Sequence, residues 1–515
     1  MYHDPRKLFH YRNLMNSTLE TLKMRLAEVV DLHRAAALLS WEQQTYMPSG
    51  GTKARSEQLA TLQGLSHRLF ITDEIGGLIN DLKNTSAQWD YDTDEASLLR
   101  LVERQYERER KIPSQLVADL ASTTALAQEA WALARQNDDY SVFQPHLQRV
   151  IELTRQEAEC FAPYENLYDP LLDKYEPGMK TSEVQMMFDG MKEELIHLVN
   201  AINSRSDEVS NTILYGEFDI EQQREFGLRV AKQFGYDLNR GRLDETLHPF
   251  CTHFSIDDVR ITTRFDSEFL PSALFGTMHE VGHALYEQGI SPKLDRTGMD
   301  TGVSLGVHES QSRLWENLVG RSRSFWNYYF PQLQIVFPDA FGTVTQDEFY
   351  RAINRSEPSL IRVEADEVTY NLHIIIRFEL ELELLSGDLH LNDLPAAWVE
   401  KYKDYLGITP NNDANGVLQD IHWSIGAIGY FATYTIGNLL SVQLFDCARK
   451  EIKDLDADIS KGNFDALLHW LRENIHCHGS KFTPGELVKR ITGNSMDAQP
   501  YLNYLRNKYS EIYKL

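Results

Sequence analysis

Four long stretches of this chain place apolar residues at helical spacing and contain few residues that break a helix. They cover residues 19–41, 96–110, 116–135 and 183–204. This period indicates helices that each bury one face, so the fold must be one in which helices pack on helices. Clusters rich in Pro, Gly or Asn at 48–51, 176–178 and 409–412 are typical of the turns between such helices. The sequence therefore predicts a mainly α protein.

A small β contribution is predicted within residues 253–270, where Val259, Ile261 and Thr263 alternate with polar neighbours. Residues 378–385 also alternate for most of their length, and this pattern alone would favour a strand. Leu and Glu are strong helix formers, however, and the preceding residues 371–377 have the composition of a buried helix. We therefore predict a helix across 378–385.

A chain of 515 residues exceeds the usual size of one compact core, which favours two lobes or subdomains. Hydrophobic residues make up 42% and charged residues 25%, a balance typical of a folded globular protein. No stretch is long enough to act as a linker between independent domains. Residues 1–515 are thus predicted to form a single domain built from two helical subdomains.

The formal net charge of −25 argues against nucleic acid as a partner, because phosphate binding depends on clustered Lys and Arg and no basic block is present. Residues 423–445 carry no formal charge and could be mistaken for a membrane span. They contain several hydroxyl and amide side chains, however, and each would need a partner in hydrocarbon. A buried helix that lines a polar site is the better interpretation, and no membrane partner is predicted.

Two further features favour a cytoplasmic protein. Residues 1–9 lack the apolar core and the small-residue cleavage site of a signal peptide. The cysteines lie far apart without paired spacing, as expected for reduced thiols: Cys160, Cys251, Cys447 and Cys477.

The strongest chemical signal is the pattern His279-Glu280-Val281-Gly282-His283. Residues four apart on a helix lie about 6 Å apart along its axis and on one face, so His279 and His283 can bind one zinc ion together. Glu280 then lies beside the metal, where its carboxylate can take a proton from the water that zinc activates. Pro271 and Gly289 stand where the start and end of such a helix are expected.

A catalytic zinc ion keeps three protein ligands and one open position, so a third ligand is required. The best candidate is Glu309, which lies 309 − 283 = 26 residues beyond the second histidine. A Gly-containing turn at 298–306 lets the chain reverse, and the residues that follow, up to 321, favour a helix that would return Glu309 to the metal. The adjacent His308 is a rival that spacing alone does not exclude.

Besides the zinc helix, the chain contains in order HPF at 248–250, DVRIT at 258–262, HESQ at 308–311, IRVEAD at 361–366 and GVLQDIHW at 416–423. Together these motifs resemble those of the carboxypeptidase Taq family of HExxH metallocarboxypeptidases. The stretches 40–48 and 470–479 also look familial, so the resemblance covers essentially the whole chain. Glu42 stands where Asp is expected in the N-terminal stretch, a mild departure that touches no catalytic role.

The resemblance implies a mainly α, two-lobed metallopeptidase fold with a deep groove, a small β-sheet near the zinc site and a zinc-binding core at about 248–440. It implies a homodimer that removes single amino acids from the C-termini of peptides with broad specificity. Carried over by motif, Glu309 becomes the third ligand in preference to His308. One zinc ion per chain is expected, and Co²⁺ is a possible substitute because nitrogen and oxygen ligands accept both.

Further residues are candidates for the chemistry around the metal. His422 is the first choice to stabilise the oxyanion of the tetrahedral intermediate, with Tyr430 and Tyr434 as partners. Arg362 is the leading candidate to hold the free C-terminal carboxylate, because its planar fork matches two oxygens; an ordinary salt bridge is the alternative. From the DxRxT motif, Asp258, Arg260 and Thr262 are expected on the substrate side, with Arg260 shaping the closed end of the groove.

Asp258, Asp366 and Asp420 are expected to orient neighbouring groups rather than bind metal. The nearest alternative activity is an oligoendopeptidase or a dipeptidyl carboxypeptidase that uses the same chemistry. A catalytically silent peptide-binding scaffold is a further alternative, which the intact set of three ligands and Glu280 disfavours.

Overall fold

The computed structural model describes the backbone of residues 5–515 and the side chains of residues 16–515. Of the stretch 1–9, in which no signal peptide is predicted, residues 1–4 and every side chain lie outside that description. The helices are α1 (Pro5–Thr45), α2 (Thr52–Phe70), α3 (Asp73–Thr85), α4 (Asp94–Lys111), α5 (Ser114–Asn137), α6 (Tyr140–Glu159), α7 (Asp169–Leu172), α8 (Thr181–Asn203), α9 (Ile220–Phe234), α10 (Leu270–Gly289), α11 (Leu305–Arg313), α12 (Arg323–Val336), α13 (Pro338–Phe341), α14 (Gln346–Ile353), α15 (Tyr370–Ser386), α16 (Leu394–Leu406), α17 (Ala432–Glu451), α18 (Leu455–Ile459), α19 (Asp465–Asn474), α20 (Pro484–Thr492) and α21 (Gln499–Tyr513).

The helices predicted from the four apolar-periodic stretches are confirmed. The four apolar-periodic stretches correspond to α1, α4, α5 and α8. Thr93 begins α4, because its side chain accepts a hydrogen bond from the backbone N–H of Ala96. The residues at 378–385 belong to α15, so helix propensity outweighs their alternating pattern.

The predicted β contribution is a three-stranded sheet in the order β1–β3–β2, with β1 Leu243–Glu245, β2 Cys251–Ser255 and β3 Asp258–Thr263. The central strand β3 runs parallel to β1 and antiparallel to β2. Val259, Ile261 and Thr263 are buried as their alternation predicts. Residues 264–270 contain no strand, and β1 lies before the predicted region.

The prediction of one helix across 423–445 is right only for its second part. The helix α17 begins at Ala432, whereas residues 423–431 form a series of turns. Gly426 and Gly429 take positive φ angles of 71° and 93° there, a left-handed conformation that a right-handed helix does not contain. Among the residues the structure describes, no helix is both long and apolar enough to cross a membrane.

Buried side chains from the helices and the sheet form one continuous hydrophobic core. Within it α11 packs between α10 and α17, and the sheet packs on α10 through β3. All four cysteines fall in the described part of the chain, and each is a free thiol. The mainly α architecture with a small sheet is thus confirmed, while the two lobes and the groove stay predictions.

Candidate active site and metal centre

The helix α10 presents the two histidines of the HExxH pattern on one face. It begins with Pro271 in its first turn, where a missing backbone N–H costs no hydrogen bond. The rings of His279 and His283 lie 5.0 Å apart between centroids. Gly282 allows α11 to cross at close range, because a β-carbon at this position would lie 2.6 Å from the backbone of Ser312. The glycine inside the pattern therefore places α11 against the histidines.

Glu309 on α11 completes a group of three side chains that could hold a metal ion. Ser304 begins this helix, since its side chain accepts a hydrogen bond from the N–H of Val307. Glu309 Oε2 lies 3.5 Å from His279 Nε2 and 3.4 Å from His283 Nε2. The three donor atoms lie within 4.8 Å of one another. Two imidazole nitrogens and one carboxylate oxygen with a further position open are a donor set that fits a catalytic Zn²⁺ ion.

Burial and charge shift the pKa values of these groups in different directions. Burial raises the pKa of Glu280 to about 7 and outweighs the opposing effect of His279. Burial and the neighbouring His308 lower the pKa of His283 to about 4. Burial would lower the pKa of His279, but the carboxylates around it, first that of Glu309, raise it to about 9. The pKa of Glu309 lies well below its ordinary value, because Arg313 and the two histidines outweigh the effect of burial.

A second cluster contains His422, Tyr434 and Arg362. His422 Nε2 lies 3.3 Å from the hydroxyl of Tyr434, and the guanidinium of Arg362 lies 4.9 Å from the ring centroid of Tyr434. Tyr430 packs against both His422 and Tyr434, with ring centroids 5.3 Å from each. The structure therefore brings together the residues predicted from the IRxxAD and GxxQDxHW motifs and the start of α17.

The carboxylate of Asp420 accepts hydrogen bonds from two arginines of this region. Arg362 donates from Nε and Nη2 to Asp420 Oδ1 at 3.0 and 2.8 Å, and the fully buried Arg377 donates to Oδ2 at 2.6 Å. Arg362 also donates from Nη1 to the hydroxyl of Tyr370 at 2.9 Å. These contacts agree with the orienting role predicted for Asp420. Arg362 is only 4% exposed, and its guanidinium is already ion-paired with Asp420 before any ligand is bound.

The DxRxT residues occupy β3. Asp258 accepts two hydrogen bonds from Arg260, each of 2.8 Å, so this pair forms a fork. The Arg260 guanidinium lies 4.4 Å from the ring centroid of Trp41 and is partly exposed. Thr262 is fully buried and exchanges hydrogen bonds with the backbone of Phe250 in the HPF motif. Thr262 therefore holds the loop before β2, whereas Asp258 and Arg260 are partly exposed to solvent.

Comparison with known proteins decides the family. Over residues 21–509 the chain matches the family described as carboxypeptidase Taq (M32) metallopeptidase. The chain belongs to this family. The M32 chain is 44% identical over 512 residues to thermostable carboxypeptidase 1 of Thermus thermophilus, a match that covers 98% of this chain and 99% of that protein. It is 38% identical to carboxypeptidase 1 of Bacillus subtilis, with 95% and 97% of the two chains covered.

The M32 fold is confirmed by solved structures. The crystal structure of the M32 carboxypeptidase from Deinococcus radiodurans R1 matches with a TM-score of 0.94 at 40% identity, over 97% of this chain and 100% of that one. The Pyrococcus furiosus carboxypeptidase matches with a TM-score of 0.92 at 37% identity, over 96% and 99%. The resemblance seen in the motifs is therefore confirmed, and this M32 chain is a metallopeptidase of the carboxypeptidase type.

Two groups of this M32 site were missed by sequence reasoning. Glu316 Oε2 lies 2.9 Å from His279 Nδ1, and Arg313 donates to Glu309 Oε1 at 2.7 Å. Glu316 lies in a π-helical segment, Leu314–Val319, that continues α11. A signal was present for Arg313, because residues four apart share a helix face. The π-helical turn gave no such signal, because its hydrogen-bond spacing departs from the α-helical period.

Proposed function

We propose that this M32 metallopeptidase is a zinc carboxypeptidase that releases single amino acids from the free C-termini of peptides with broad specificity. The observation that supports this most directly is the convergence of His279, His283 and Glu309 beside the buried carboxyl of Glu280. The family membership supports the carboxypeptidase reading of that site.

His279 and His283 would hold the metal through Nε2 and Glu309 through Oε2, the three atoms that face one another. Zinc, when bound, supplies a Lewis acid that polarises the scissile carbonyl and lowers the pKa of a water molecule. Cobalt is an alternative ion for the same ligands. Glu309 Oε1 accepts a hydrogen bond from Arg313, so Glu309 would offer the metal only its other oxygen, Oε2.

Glu280 is the general base of the proposed reaction. Glu280 is 5% exposed, and burial raises its pKa to about 7, which suits a group that both takes and returns a proton near neutral pH. Glu280 accepts a proton from the attacking water and delivers it to the departing amine. The charges of His279 and Glu309 both act on this buried carboxyl, so the proton moves within a polar environment.

His422 is proposed to donate to the oxyanion, with Tyr434 and Tyr430 beside it. Burial lowers the pKa of His422 to about 4, so its ring is neutral at pH 7 and carries a single N–H. The Nδ1 atom lies 3.9 Å from Asp420 and the Nε2 atom faces the Tyr434 hydroxyl. Tyr434 and Tyr430 keep their protons at neutral pH, because burial raises the pKa of each hydroxyl.

Arg362 is proposed to hold the C-terminal carboxylate of the substrate. Its pairing with Asp420 orients the guanidinium and leaves the second hydrogens of Nη1 and Nη2 for a ligand. Arg260, positioned by Asp258 and supported by the loop that Thr262 holds, is proposed to contact the substrate further from the scissile bond.

A product assay on an N-terminally blocked peptide tests this function. We expect free amino acids released one at a time from the C-terminus, and one zinc ion per chain by metal analysis of the active protein. Release of dipeptides or internal fragments would instead support the dipeptidyl carboxypeptidase or oligoendopeptidase alternative. An active protein that holds no metal would contradict the proposed chemistry.

The assembly and location are proposed from the resemblance and the sequence. If the protein is a homodimer, light scattering at micromolar concentration should give twice the mass of the 59.4 kDa chain. If the protein is cytoplasmic, its activity should be found in the cytosolic fraction of the cells that produce it. A monomer in light scattering, or activity confined to another fraction, would contradict these two proposals.

A further inference from the structure

A row of closely spaced polar side chains extends from the Nδ1 side of His283, opposite the Nε2 atom that faces Glu309. His283 Nδ1 lies 2.6 Å from His308 Nδ1, and His308 Nε2 lies 2.7 Å from Glu287 Oε1. Glu287 Oε2 in turn lies 3.4 Å from Nδ1 of His253, on strand β2. The row runs from α10 to α11, back to α10 and then to the sheet. None of its last three members was needed for the function proposed above.

The position of each proton in this row can be assigned by pairing every donor with an acceptor. His283 directs Nε2 at Glu309, so as a neutral ligand it carries its proton on Nδ1 and donates it to His308. His308 Nδ1 must then accept, which leaves its proton on Nε2 to be donated to the carboxylate of Glu287. One hydrogen therefore lies between each pair, and both rings are held as single tautomers.

Packing holds the His308 ring in the position that this row requires. The ring stacks against His283, with centroids 4.6 Å apart and planes 28° apart, and against Tyr286 at 5.3 Å and 30°. Gly302 closes the remaining side, since a β-carbon there would lie 2.7 Å from His308 Cδ2. His308 thus cannot turn away from His283 without disturbing α10 or the loop before α11.

The two histidines differ in what supports them. His279 Nδ1 contacts the carboxylate of Glu316 directly at 2.9 Å, whereas a second imidazole separates His283 from its carboxylate, Glu287. We propose that His308 is a positioning residue which, anchored by Glu287, fixes the tautomer and orientation of His283 and thereby sets the affinity of the site for zinc. This inference rests on the proposed zinc site.

The test measures zinc binding by the metal-free full-length chain in competition with a chelator. His308→Leu removes both ring nitrogens at similar volume, and we expect zinc affinity to fall about 10- to 100-fold. His308→Asn keeps an acceptor near the position of Nδ1, and we expect it to recover at least half of that loss on a logarithmic scale. Gly302→Ala removes no polar group, so a loss of affinity in this variant reports displacement of the His308 ring and of Tyr286, which stacks on it.

His373→Asn is the matched control, because His373 is also buried and hydrogen-bonded through Nδ1, to Tyr402 at 2.9 Å. We expect this control to lose stability and keep the parent zinc affinity. Parent affinity in both His308→Leu and Gly302→Ala would overturn the positioning role alone. Equal losses in His308→Asn, His308→Leu and His373→Asn would overturn it as well, since a general structural effect would then suffice. Failure of the parent chain to bind one zinc ion would overturn the proposed function and this inference together.

Discussion

Gly437 on α17 lies directly against the side chain of Glu309 on α11. A β-carbon at 437 would come within 2.5 Å of Glu309 Cγ and 2.6 Å of its Cβ. Because position 437 has no side chain, α17 can pack directly against Glu309, whose carboxylate contacts His279 and His283. Tyr434 lies one turn earlier on the same helix, so α17 contacts both the proposed metal site and the His422 cluster.

Gly437→Ala is expected to displace Glu309 although alanine is the better helix former. Overpacking of a buried contact costs about 1–3 kcal/mol, more than the helix propensity of alanine returns. We expect a lower melting temperature and weaker zinc binding by the metal-free chain. Gly190→Ala is the matched control, because Gly190 is also helical but has nothing within 4 Å of the added carbon. Equal behaviour of the two variants would contradict the close approach of α17.

Glu280→Gln separates metal binding from catalysis. The amide cannot take a proton from water, so kcat should fall by about 10²- to 10⁴-fold, the usual contribution of a general base. Zinc content should stay at the parent level, because Glu280 is not among the three converging ligands. Stopped-time product assays and metal analysis measure the two effects, with the exposed Glu221→Gln on α9 as the control. Hydrolysis by Glu280→Gln at the parent rate would refute the proposed mechanism.

Arg362→Ala tests recognition of the C-terminal carboxylate with paired substrates. For a peptide with a free carboxylate, kcat/KM should fall about 100-fold or more, because a buried charged contact is lost. For the same peptide amidated at its C-terminus, the change should be small. Arg355→Ala, in the same connecting segment but paired with Glu357, should alter neither value. A similar loss on both peptides would assign Arg362 to the ion pair with Asp420 and remove it from the substrate.

Glu381 makes stability depend on pH. Burial raises its pKa to about 7, although its carboxyl accepts hydrogen bonds from Tyr168, Trp423 and the N–H of Gly429. Because the folded pKa lies above the ordinary value of 4.5, this group stabilises the fold fully below about pH 4.5. That contribution is lost as the pH rises through the folded-state pKa. The difference between the unfolded pKa of 4.5 and the folded pKa of about 7 corresponds to about 3 kcal/mol in total.

Glu381→Gln removes this titration and tests its sign. The variant should be less stable than the parent at pH 5, because its amide nitrogen cannot accept the hydrogen bonds that one oxygen accepts now. The difference in stability should narrow by about 2.5 kcal/mol between pH 5 and pH 8, because the unfolded carboxyl is already largely ionised at pH 5. Denaturant unfolding of both chains without metal measures the difference at each pH. A gap that is constant or that widens with pH would contradict the raised pKa.

Much of the fold follows from local patterns. Helical period and the breaker clusters predicted α1, α4, α5 and α8, and the alternation of Val259 and Ile261 predicted β3. The turns at 423–431 were missed because their residues are apolar enough for a helix, and the left-handed conformations of Gly426 and Gly429 are stabilised by contacts outside the segment. Gly429, for example, packs against the backbone of Leu171, 258 residues earlier.

The pattern in the sequence was enough to predict a zinc site, because a helix of any protein places His279 and His283 on one face with Glu280 beside them. The family motifs then selected Glu309. The partners of the two histidines emerge only from the packing of the chain: Glu316 contacts His279 Nδ1, and His308 contacts His283 Nδ1 and is itself bonded to Glu287. These partners come from different elements or from a π-helical turn, so their contacts depend on how α10, α11 and the sheet pack. Packing has no fixed sequence period, and for that reason the supporting network was invisible in the sequence.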